Sequence, residues 1–194
     1  APCQLFRNNG NETFTDVATE AGVENHRYAK GVGWGDYDGD RFPDLYVSNL
    51  GEANRLYHNN GDGTFTDVAR ELGVINPFTS FPVWFWDFNN DGALDLLVSC
   101  YLGDVGVVAA SYMGLAPPGH LLSACLYRGD GQGRFKEVAK QLNLGKVSLP
   151  MGANFGDLDN DGYLDFYLGT GYTGPDGIMP NVMYRNRAGT RFSD

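Results

Sequence analysis

The amino-acid sequence predicts an all-β protein, a β-propeller built from four-stranded blades. Three observations lead to this fold class. An acidic segment occurs three times, starting at Asp36, Asp87 and Asp157. A hairpin segment occurs four times, starting at Leu5, Leu56, Leu126 and Met183. The 27 glycines among 194 residues are too many for a helical bundle and are typical of a turn-rich β protein. Repeated multi-stranded units of this length are typical of propeller blades around an axis.

Each full repeat predicts four short strands in a fixed order. A Gly-rich apolar stretch such as GVGWGD runs into the acidic loop, and an apolar run such as LYVSN follows the loop. A hairpin with Asn, Gly and Asp at its tip then joins the LY strand to the FTDVA strand. A solenoid of coils is the alternative, but solenoid repeats are usually shorter and lack such hairpins. The propeller is therefore the predicted architecture.

The repeat boundaries predict one partial propeller over residues 1–194. Its parts are the end of a blade at 1–22, a blade at 29–74, a blade at 81–144 with an insertion at 101–124, and a truncated blade at 150–194. About three and a half blades are expected, which is fewer than the roughly four that a closed propeller needs. We therefore expect a fragment, or the ordered part of a longer chain, and pairing of two such halves into a seven-bladed ring is the alternative.

The charge balance excludes several classes of partner. There are 14 basic and 24 acidic residues, which gives a formal net charge of −10. Nucleic acids and anionic membrane surfaces are bound through clustered Lys and Arg, so neither is an expected partner. No apolar run approaches the roughly 18 residues of a membrane span, and no signal peptide begins the sequence.

The acidic segments have the spacing Asp-x-Asp-x-Asp-Gly-x-x-Asp, which suits one hard cation. Side-chain oxygens at the first, third, fifth and ninth positions, with the backbone carbonyl of the seventh, can wrap a calcium ion, which accepts six to eight oxygens. The predicted ligands, loop by loop, are Asp36, Asp38, Asp40, the Phe42 carbonyl and Asp44; Asp87, Asn89, Asp91, the Ala93 carbonyl and Asp95; and Asp157, Asp159, Asp161, the Tyr163 carbonyl and Asp165. The sequence therefore predicts up to three calcium ions.

Two rival interpretations of these loops are weaker. An EF-hand needs a Glu at the twelfth position and flanking helices, whereas Val47, Val98 and Leu168 stand there inside apparent strands. Catalytic carboxylates normally form a single site, whereas these loops recur in every blade. The first loop is predicted to be the weakest site, because Arg41 stands where the other loops have Gly and brings a positive charge.

The motifs GDYDGD…PDLYV, DFNNDGALDLLV and GDLDNDGYLDFYLGTG resemble FG-GAP/VCBS repeats, the calcium-bearing blades that also occur in integrin α-subunit heads. The run NRLYHNNGDGTFTDVARELGV is similar to the cartilage-acidic-protein-like family, whose propellers often precede an ASPIC/UnbV domain. The resemblance covers essentially all of the chain. It implies a seven-bladed calcium propeller in a secreted, periplasmic or cell-surface protein, with the ligands named above. The ASPIC/UnbV portion does not occur in this sequence, as expected of a fragment.

The variable loops indicate where a partner would bind. In a blade, the loops between strands one and two share a face with the hairpins, and the loops between strands two and three lie on the opposite face. The latter vary in length, and the insertions at 101–124 and 169–181 are the longest. Because rigid scaffolds present binding residues on such loops, we expect other protein subunits, or cell-surface or extracellular proteins, to contact this face. Passive packing of the insertion on its own blade is the alternative.

Five aromatic residues stand near the ends of the inner strands, just before the acidic loops. Trp34, Phe85 and Phe155 share one position of the repeat and are expected in the core. By strand alternation, Trp84 and Trp86 point to the face opposite Phe85. They would fill a gap in the core, line the central channel or form a sugar-stacking cleft.

The cysteines and histidines give weaker signals. Cys100 and Cys125 bracket the insertion, so a disulfide across its base is predicted, which would fit an oxidising compartment. Cys3 has no visible partner. The three histidines have no metal or triad spacing and are expected at the surface; they are His26, His58 and His120.

Together these patterns predict a non-enzymatic, calcium-stabilised propeller that binds protein or packs as a subunit outside the cytoplasm. No P-loop, nucleophile elbow, CxxCH or HExxH motif occurs in the sequence. Two alternatives stay open. One is a carbohydrate-binding propeller with exposed aromatics such as Trp84 or Tyr112, and the other is a fragment of an enzyme whose active site lies outside this chain.

Overall fold

The computed structural model describes residues 2–103, 105–115, 123–171 and 179–194. The described chain contains fourteen short strands and one helix. In chain order they are β1 (Phe6–Asn8), β2 (Phe14–Asp16), β3 (Ala29–Gly35), β4 (Asp44–Asn49), β5 (Arg55–Asn59), β6 (Phe65–Asp67), β7 (Ser80–Trp86), β8 (Asp95–Cys100), α1 (Val105–Tyr112), β9 (Cys125–Gly129), β10 (Phe135–Glu137), β11 (Pro150–Gly156), β12 (Asp165–Thr170), β13 (Val182–Asn186) and β14 (Phe192–Ser193).

The strands form three antiparallel four-stranded sheets and one hairpin. The sheets have the simple orders β3-β4-β5-β6, β7-β8-β9-β10 and β11-β12-β13-β14, and β1 pairs with β2. In each sheet the first two strands meet in one register: Gly35 faces Asp44, Trp86 faces Asp95, and Gly156 faces Asp165. The prediction of an all-β propeller with four-stranded blades, about three and a half of them in this chain, is therefore confirmed.

The hydrophobic core lies between the blades because each second strand is apolar on both faces. In β4, Leu45 and Val47 pack toward the β1–β2 hairpin, whereas Tyr46 packs toward the second blade. In β8, Leu97 packs toward the third blade. Leu96, on the opposite face of β8, packs toward the first blade. Side chains alternate across a strand, so a continuous apolar run is what a strand buried on both faces requires.

The aromatic position shared by the inner strands is buried in only one of the three blades. Phe85 is 9% exposed and lies against the first blade, where a Cβ on Gly35 would come within 2.6 Å of its ring. Trp34 is 49% exposed and Phe155 is 41% exposed, so the expectation that both are core residues was wrong. Trp34 faces the side on which the described chain supplies only β1 and β2, which bring no inner strand to cover it.

Trp84 and Trp86 fill the interface between the second and third blades. They are 8% and 2% exposed. Trp86 stacks on Phe192 and meets Phe166 edge-on, with ring centroids 5.8 and 5.6 Å away. Of the three interpretations, core packing is confirmed. The sugar cleft built on Trp84 is contradicted, because neighbouring side chains already cover the indole.

The insertion contains a helix that the sequence analysis did not predict. Helix α1 buries Val108 against Val147 and Leu149, and the Val147 backbone N–H donates to Ser111 Oγ at 2.9 Å. The insertion therefore packs in part against the segment that leads into the third blade. Much of the predicted partner face, at 116–122 and 172–178, lies outside the described residues, as does His120. Within the described ranges, no helix is long and apolar enough to cross a membrane.

Candidate metal sites

Each acidic loop joins the first strand of a blade to the second, and closely similar hydrogen bonds shape all three. The first aspartate of each loop closes it by accepting backbone N–H groups. Asp87 accepts from Asp91 at 3.1 Å and from Gly92 at 2.8 Å. Asp157 accepts from Asp161 at 3.1 Å and from Gly162 at 2.9 Å.

In the first loop, Asp36 accepts from Gly39 at 2.8 Å and from Arg41 at 2.9 Å. In all three loops, one carboxylate oxygen of the first aspartate thus accepts the backbone N–H of the sixth residue. The partner of the other carboxylate oxygen is the fourth residue in the first loop and the fifth residue in the other two. The turn therefore tightens differently at its tip in the first loop.

The side chain at the fifth position of each loop accepts a hydrogen bond from the backbone of the seventh residue. The carboxylates of Asp40, Asp91 and Asp161 accept the N–H of Phe42, Ala93 and Tyr163 at 2.8, 3.0 and 2.9 Å. These three N–H groups belong to the residues whose carbonyls are predicted as ligands. The peptide that follows the turn is therefore oriented by a side chain that is itself a predicted ligand.

The ninth position carries a buried aspartate that ties the loop to the third strand. Asp95 accepts the N–H of Phe88 and of Gly129, each at 3.0 Å. The equivalent Asp44 and Asp165 make the same pair of bonds, to the residue after the first aspartate and to the end of the third strand. Burial raises the pKa of Asp95 to about 7, and the nearby Asp91 and Asp87 add to the effect. Burial also raises the pKa of Asp44.

The turn of each loop places its fourth and sixth residues in the left-handed region. In the second and third loops these are Asn and Gly, with Gly92 and Gly162 at φ of 86° and 87°. In the first loop the order is reversed: Gly39 stands fourth and Arg41 stands sixth, at φ of 76°. A residue with a Cβ is disfavoured there by about 1 to 2 kcal/mol. The prediction that Arg41 strains the turn agrees with this backbone conformation.

Replacing Arg41 with glycine should stabilise the metal-free chain by about 1 kcal/mol, because the strained φ is relieved. Urea unfolding in the presence of a chelator measures the change. The matched control is Arg70→Gly, since Arg70 is exposed and is not among the residues with positive φ. That control should lose roughly 0.5 to 1 kcal/mol through chain entropy. If both variants lost stability to the same extent, the strain at Arg41 would be disproved.

The predicted ligands come together in two of the loops as groups of three carboxylates. Oxygens of Asp36, Asp38 and Asp40 lie within 4.8 Å of one another, and so do oxygens of Asp157, Asp159 and Asp165. In the second loop Asn89 takes the place of an acidic residue, and its amide donates to Asp91 Oδ2 at 2.7 Å. All the side chains named are oxygen donors, which is the donor set that calcium prefers. The residues present therefore fit a calcium ion.

His58 is a functional candidate that the sequence analysis missed. It lies in β5, and its Nδ1 is 3.3 Å from Asp38 Oδ2 and 3.3 Å from Asp44 Oδ1. The expectation that it is a surface residue is met only in part: its side chain is 29% exposed, and antiparallel pairing of β4 with β5 places it next to the first loop. The signal in the sequence is its position in the repeat, where the second and third blades have Arg128 and Arg185.

Arg185 makes the corresponding contact in the third blade. Its guanidinium forms an ion pair with Asp159, a predicted ligand of the third loop. The third strand of a blade thus brings a nitrogen-bearing side chain to the third position of the acidic loop in both the first and the third blade. In the second blade that loop position is the neutral Asn89.

The loops and the hairpins lie on one face, as the blade geometry predicts. A Cβ on Gly189, in the last hairpin, would lie 2.7 Å from the Cα of Asn89 in the second loop. The neighbouring loops also touch, since Asn90 Nδ2 donates to the Gly162 carbonyl at 2.9 Å. Successive loops and hairpins therefore form one continuous surface.

Cys100 and Cys125 lie on adjacent paired strands, β8 and β9, with Cys125 opposite Val98. Both carry thiols in the structure, and burial raises the pKa of each to about 12. The disulfide between them stays a prediction.

The chain is similar to a family model of the FG-GAP-like repeat at residues 2–47, 36–98 and 107–168. It is also similar to cartilage acidic protein 1. The human and mouse proteins are each 28% identical over 180 residues, which is 91% of this chain and 22% and 23% of theirs. The Xenopus tropicalis protein is 28% identical over 176 residues, or 88% of this chain and 24% of its own.

The chain therefore spans between a fifth and a quarter of the length of these relatives. The three matches to the repeat model together include all three acidic loops and cover most of the sequence. On these matches and on its repeated four-stranded sheets, the chain belongs to the FG-GAP-like repeat family.

Proposed function

We propose that this chain is a calcium-stabilised propeller that acts as a protein-interaction module. The observation that carries the proposal is the recurrence of one loop design in three blades. In each loop the first, fifth and ninth side chains accept backbone N–H groups, and each of their oxygens has a further lone pair free for a cation. When bound, calcium would supply the positive charge that holds these carboxylates together.

The charge distribution supports the proposal. Eleven of the 24 acidic residues lie in the three loops, four in the first, three in the second and four in the third. The remaining acidic residues nearly match the 14 basic ones. Three bound calcium ions would change the net charge from −10 to −4. The acidic composition is thus explained by metal ligands and does not require a polycationic partner.

A partner face is proposed at the insertion, opposite the loops. Around α1, large apolar side chains are exposed: Leu102 is 43% exposed, Met113 74% and Leu115 58%. Such residues on loops of a rigid scaffold suit a protein partner. The face takes in residues 101–124 and 169–181, of which only part is described. Deleting 101–124 should abolish partner binding, and a variant that folds and still binds its partner would refute this assignment.

We further propose that the module is not an enzyme and works outside the cytoplasm. The carboxylates are held in three copies of one backbone-binding scheme, which is what a structural element repeated in each blade requires. Extracellular calcium modules bind with dissociation constants of about 10⁻⁴ to 10⁻³ M, a range that surface-exposed loops of this kind would match.

The test is calcium-dependent unfolding. With saturating calcium, each occupied site at about 100 times its dissociation constant should add about 2.7 kcal/mol of stability. For a chain of this size, that corresponds to a rise in Tm of about 5 to 11 °C per site. Thermal unfolding with calcium, with magnesium and with a chelator measures the effect, and calorimetric titration gives the number of ions bound.

The variant Asp161→Ala should remove one calcium equivalent, since Asp161 is a predicted ligand in the third loop. The matched control is Asp62→Ala. It removes an exposed carboxylate that lies in a hairpin and accepts hydrogen bonds from Thr64. Equal calcium binding by both variants, or a Tm that calcium does not raise, would refute the proposal.

A further inference from the structure

The first blade holds a mixed nitrogen and oxygen cluster that the other blades lack among the described residues. Ligand atoms of Asp38, Asp44 and His58 lie within 4.8 Å of one another. Asp38 also belongs to the loop cluster with Asp36 and Asp40. The His58 imidazole therefore lies next to the calcium-type loop, on the side of the loop where Asp44 is buried.

The imidazole nitrogen that faces the carboxylates has no hydrogen-bond partner in the described structure. His58 Nδ1 is covered from solvent and makes no hydrogen bond, although two carboxylate oxygens lie 3.3 Å away. The ring is held edge-on against Tyr37, with centroids 6.2 Å apart and planes at 76°. A buried polar atom without a partner costs about 1 to 3 kcal/mol. A cation between the three groups would satisfy it.

The two nitrogen-to-oxygen distances of 3.3 Å are compatible with ligands around a tetrahedral ion. Ligands bound at about 2.0 to 2.1 Å to a tetrahedral zinc ion lie about 3.3 Å from one another. Asp44 can contribute to such a site, because Oδ1 accepts one N–H, from Asn59 at 2.9 Å, and keeps a second lone pair.

The ligand type separates this site from the other two loops. Calcium takes oxygen ligands, whereas imidazole nitrogen suits zinc and other borderline divalent transition metals. Arg128 and Arg185 stand at the position of His58, and a guanidinium carries no free lone pair with which to bind a metal. The first loop also has the strained Arg41 in place of the glycine of the other loops.

We propose that the first blade binds a borderline divalent transition-metal ion, with zinc as the probe, through His58, Asp38 and Asp44. The proposal deepens the proposed function at one loop, since Asp38 and Asp44 are also calcium ligands in that proposal. The second and third loops keep calcium. The chain then carries two classes of metal site on one face, and their occupancies respond to different ions.

The experiment is a calorimetric titration of the 194-residue chain with zinc chloride in the presence of millimolar calcium. All samples carry Cys3→Ser, which removes a thiol that could bind zinc by itself. The wild-type sequence at the other positions should bind one zinc ion in excess calcium. His58→Arg, which restores the residue type of the other blades, and His58→Gln should each weaken zinc binding by at least about tenfold. His26→Gln removes an exposed imidazole and should change nothing.

A second readout uses cobalt in place of zinc. Cobalt bound to nitrogen and oxygen ligands in a tetrahedral site gives visible absorption bands, which His58→Gln should remove while near-ultraviolet circular dichroism stays unchanged. Zinc binding that is equal in the parent and in the two His58 variants overturns the proposal, as does complete displacement of zinc by calcium. The calcium stoichiometry of the same samples, measured without zinc, tests the second and third loops separately. Failure of the calcium sites is therefore distinguishable from failure of the zinc site.

Discussion

Replacing Trp86 with alanine should lower the free energy of unfolding by about 3 to 5 kcal/mol, the usual cost of removing a large buried aromatic. Its indole is 2% exposed and is surrounded by the rings of both adjoining blades. Besides stacking on Phe192 and meeting Phe166 edge-on, the indole has its ring centroid 6.0 Å from that of Phe155 and 6.2 Å from that of Phe88. Because domains are stable by only about 5 to 15 kcal/mol, the variant should lie close to unfolding.

The matched control is Trp34→Ala. Trp34 lies on β3, in the first blade, and is 49% exposed, with one edge-on contact to Phe65 at 6.2 Å. The same chemical change there should cost about 1 kcal/mol or less. Urea unfolding followed by circular dichroism, with calcium present throughout, measures both. Equal losses for the two variants would show that the interface between the second and third blades does not carry the stability assigned to it.

Trp86→Phe separates packing from polarity at the same position. The Trp86 Nε1 atom is buried without a hydrogen-bond partner in the described structure. Phenylalanine keeps a ring in the interface and removes this donor, so part of the packing loss is offset. We expect a loss clearly smaller than that of Trp86→Ala.

The acidic loops could be predicted from the sequence because their chemistry is local. The spacing of the aspartates sets which side chain closes the turn, and residues such as Asp87 and Gly92 are only five positions apart. The hairpins are local for the same reason, with Gly61 and Gly63 taking the positive φ that a tight turn needs. Because these local patterns recur along the sequence, they also indicated the repeated-blade architecture.

Burial of the aromatic residues was predicted less well, because it depends on what a neighbouring blade supplies. Trp34 and Phe85 occupy the same position of the repeat, yet Phe85 fits against Gly35 of the preceding blade, whereas Trp34 has no inner strand over it in the described chain. Strand alternation assigns a face to each residue. It does not state whether another sheet covers that face.

His58 and helix α1 were missed for different physical reasons. His58 reaches Asp44 across paired strands, fourteen positions away in the sequence, so no short motif contains both. Helix α1 contains several valines, including Val107 and Val108, whose β-branched side chains have low helix propensity. Its position is set by the tertiary contact of Val108 with Val147 and Leu149.

Replacing Asp95 with alanine should have the second large effect, a loss of about 2 to 6 kcal/mol even without calcium. Asp95 is fully buried and accepts the N–H groups of Phe88 and Gly129. Each would be left without an acceptor at a cost of about 1 to 3 kcal/mol. The matched control Asp62→Ala removes an acceptor from an exposed hairpin and should cost about 1 kcal/mol or less. The two variants are compared by urea unfolding with a chelator present.

Asp95 should also make the stability of the metal-free chain depend on pH. Burial, with the charges of Asp91 and Asp87, raises its pKa to about 7, so the folded state holds the proton more tightly than the unfolded state does. The stability gained from this proton is complete below the unfolded pKa of about 4 and is lost as the pH rises through about 7. The Tm of the metal-free chain should therefore fall between about pH 5 and pH 8.

Calcium should reverse this trend, because it binds the ionised carboxylate and must displace the proton. The rise in Tm on adding calcium should be larger at about pH 8 than at about pH 6. Asp95→Asn has no proton to exchange, so its metal-free Tm should vary less with pH than that of the parent. A parent chain whose metal-free Tm rises between these pH values would show that Asp95 is ionised in the folded state without metal. Asp95 would then accept its hydrogen bonds as an ionised carboxylate at both pH values. Calcium binding at this loop would displace no proton from it.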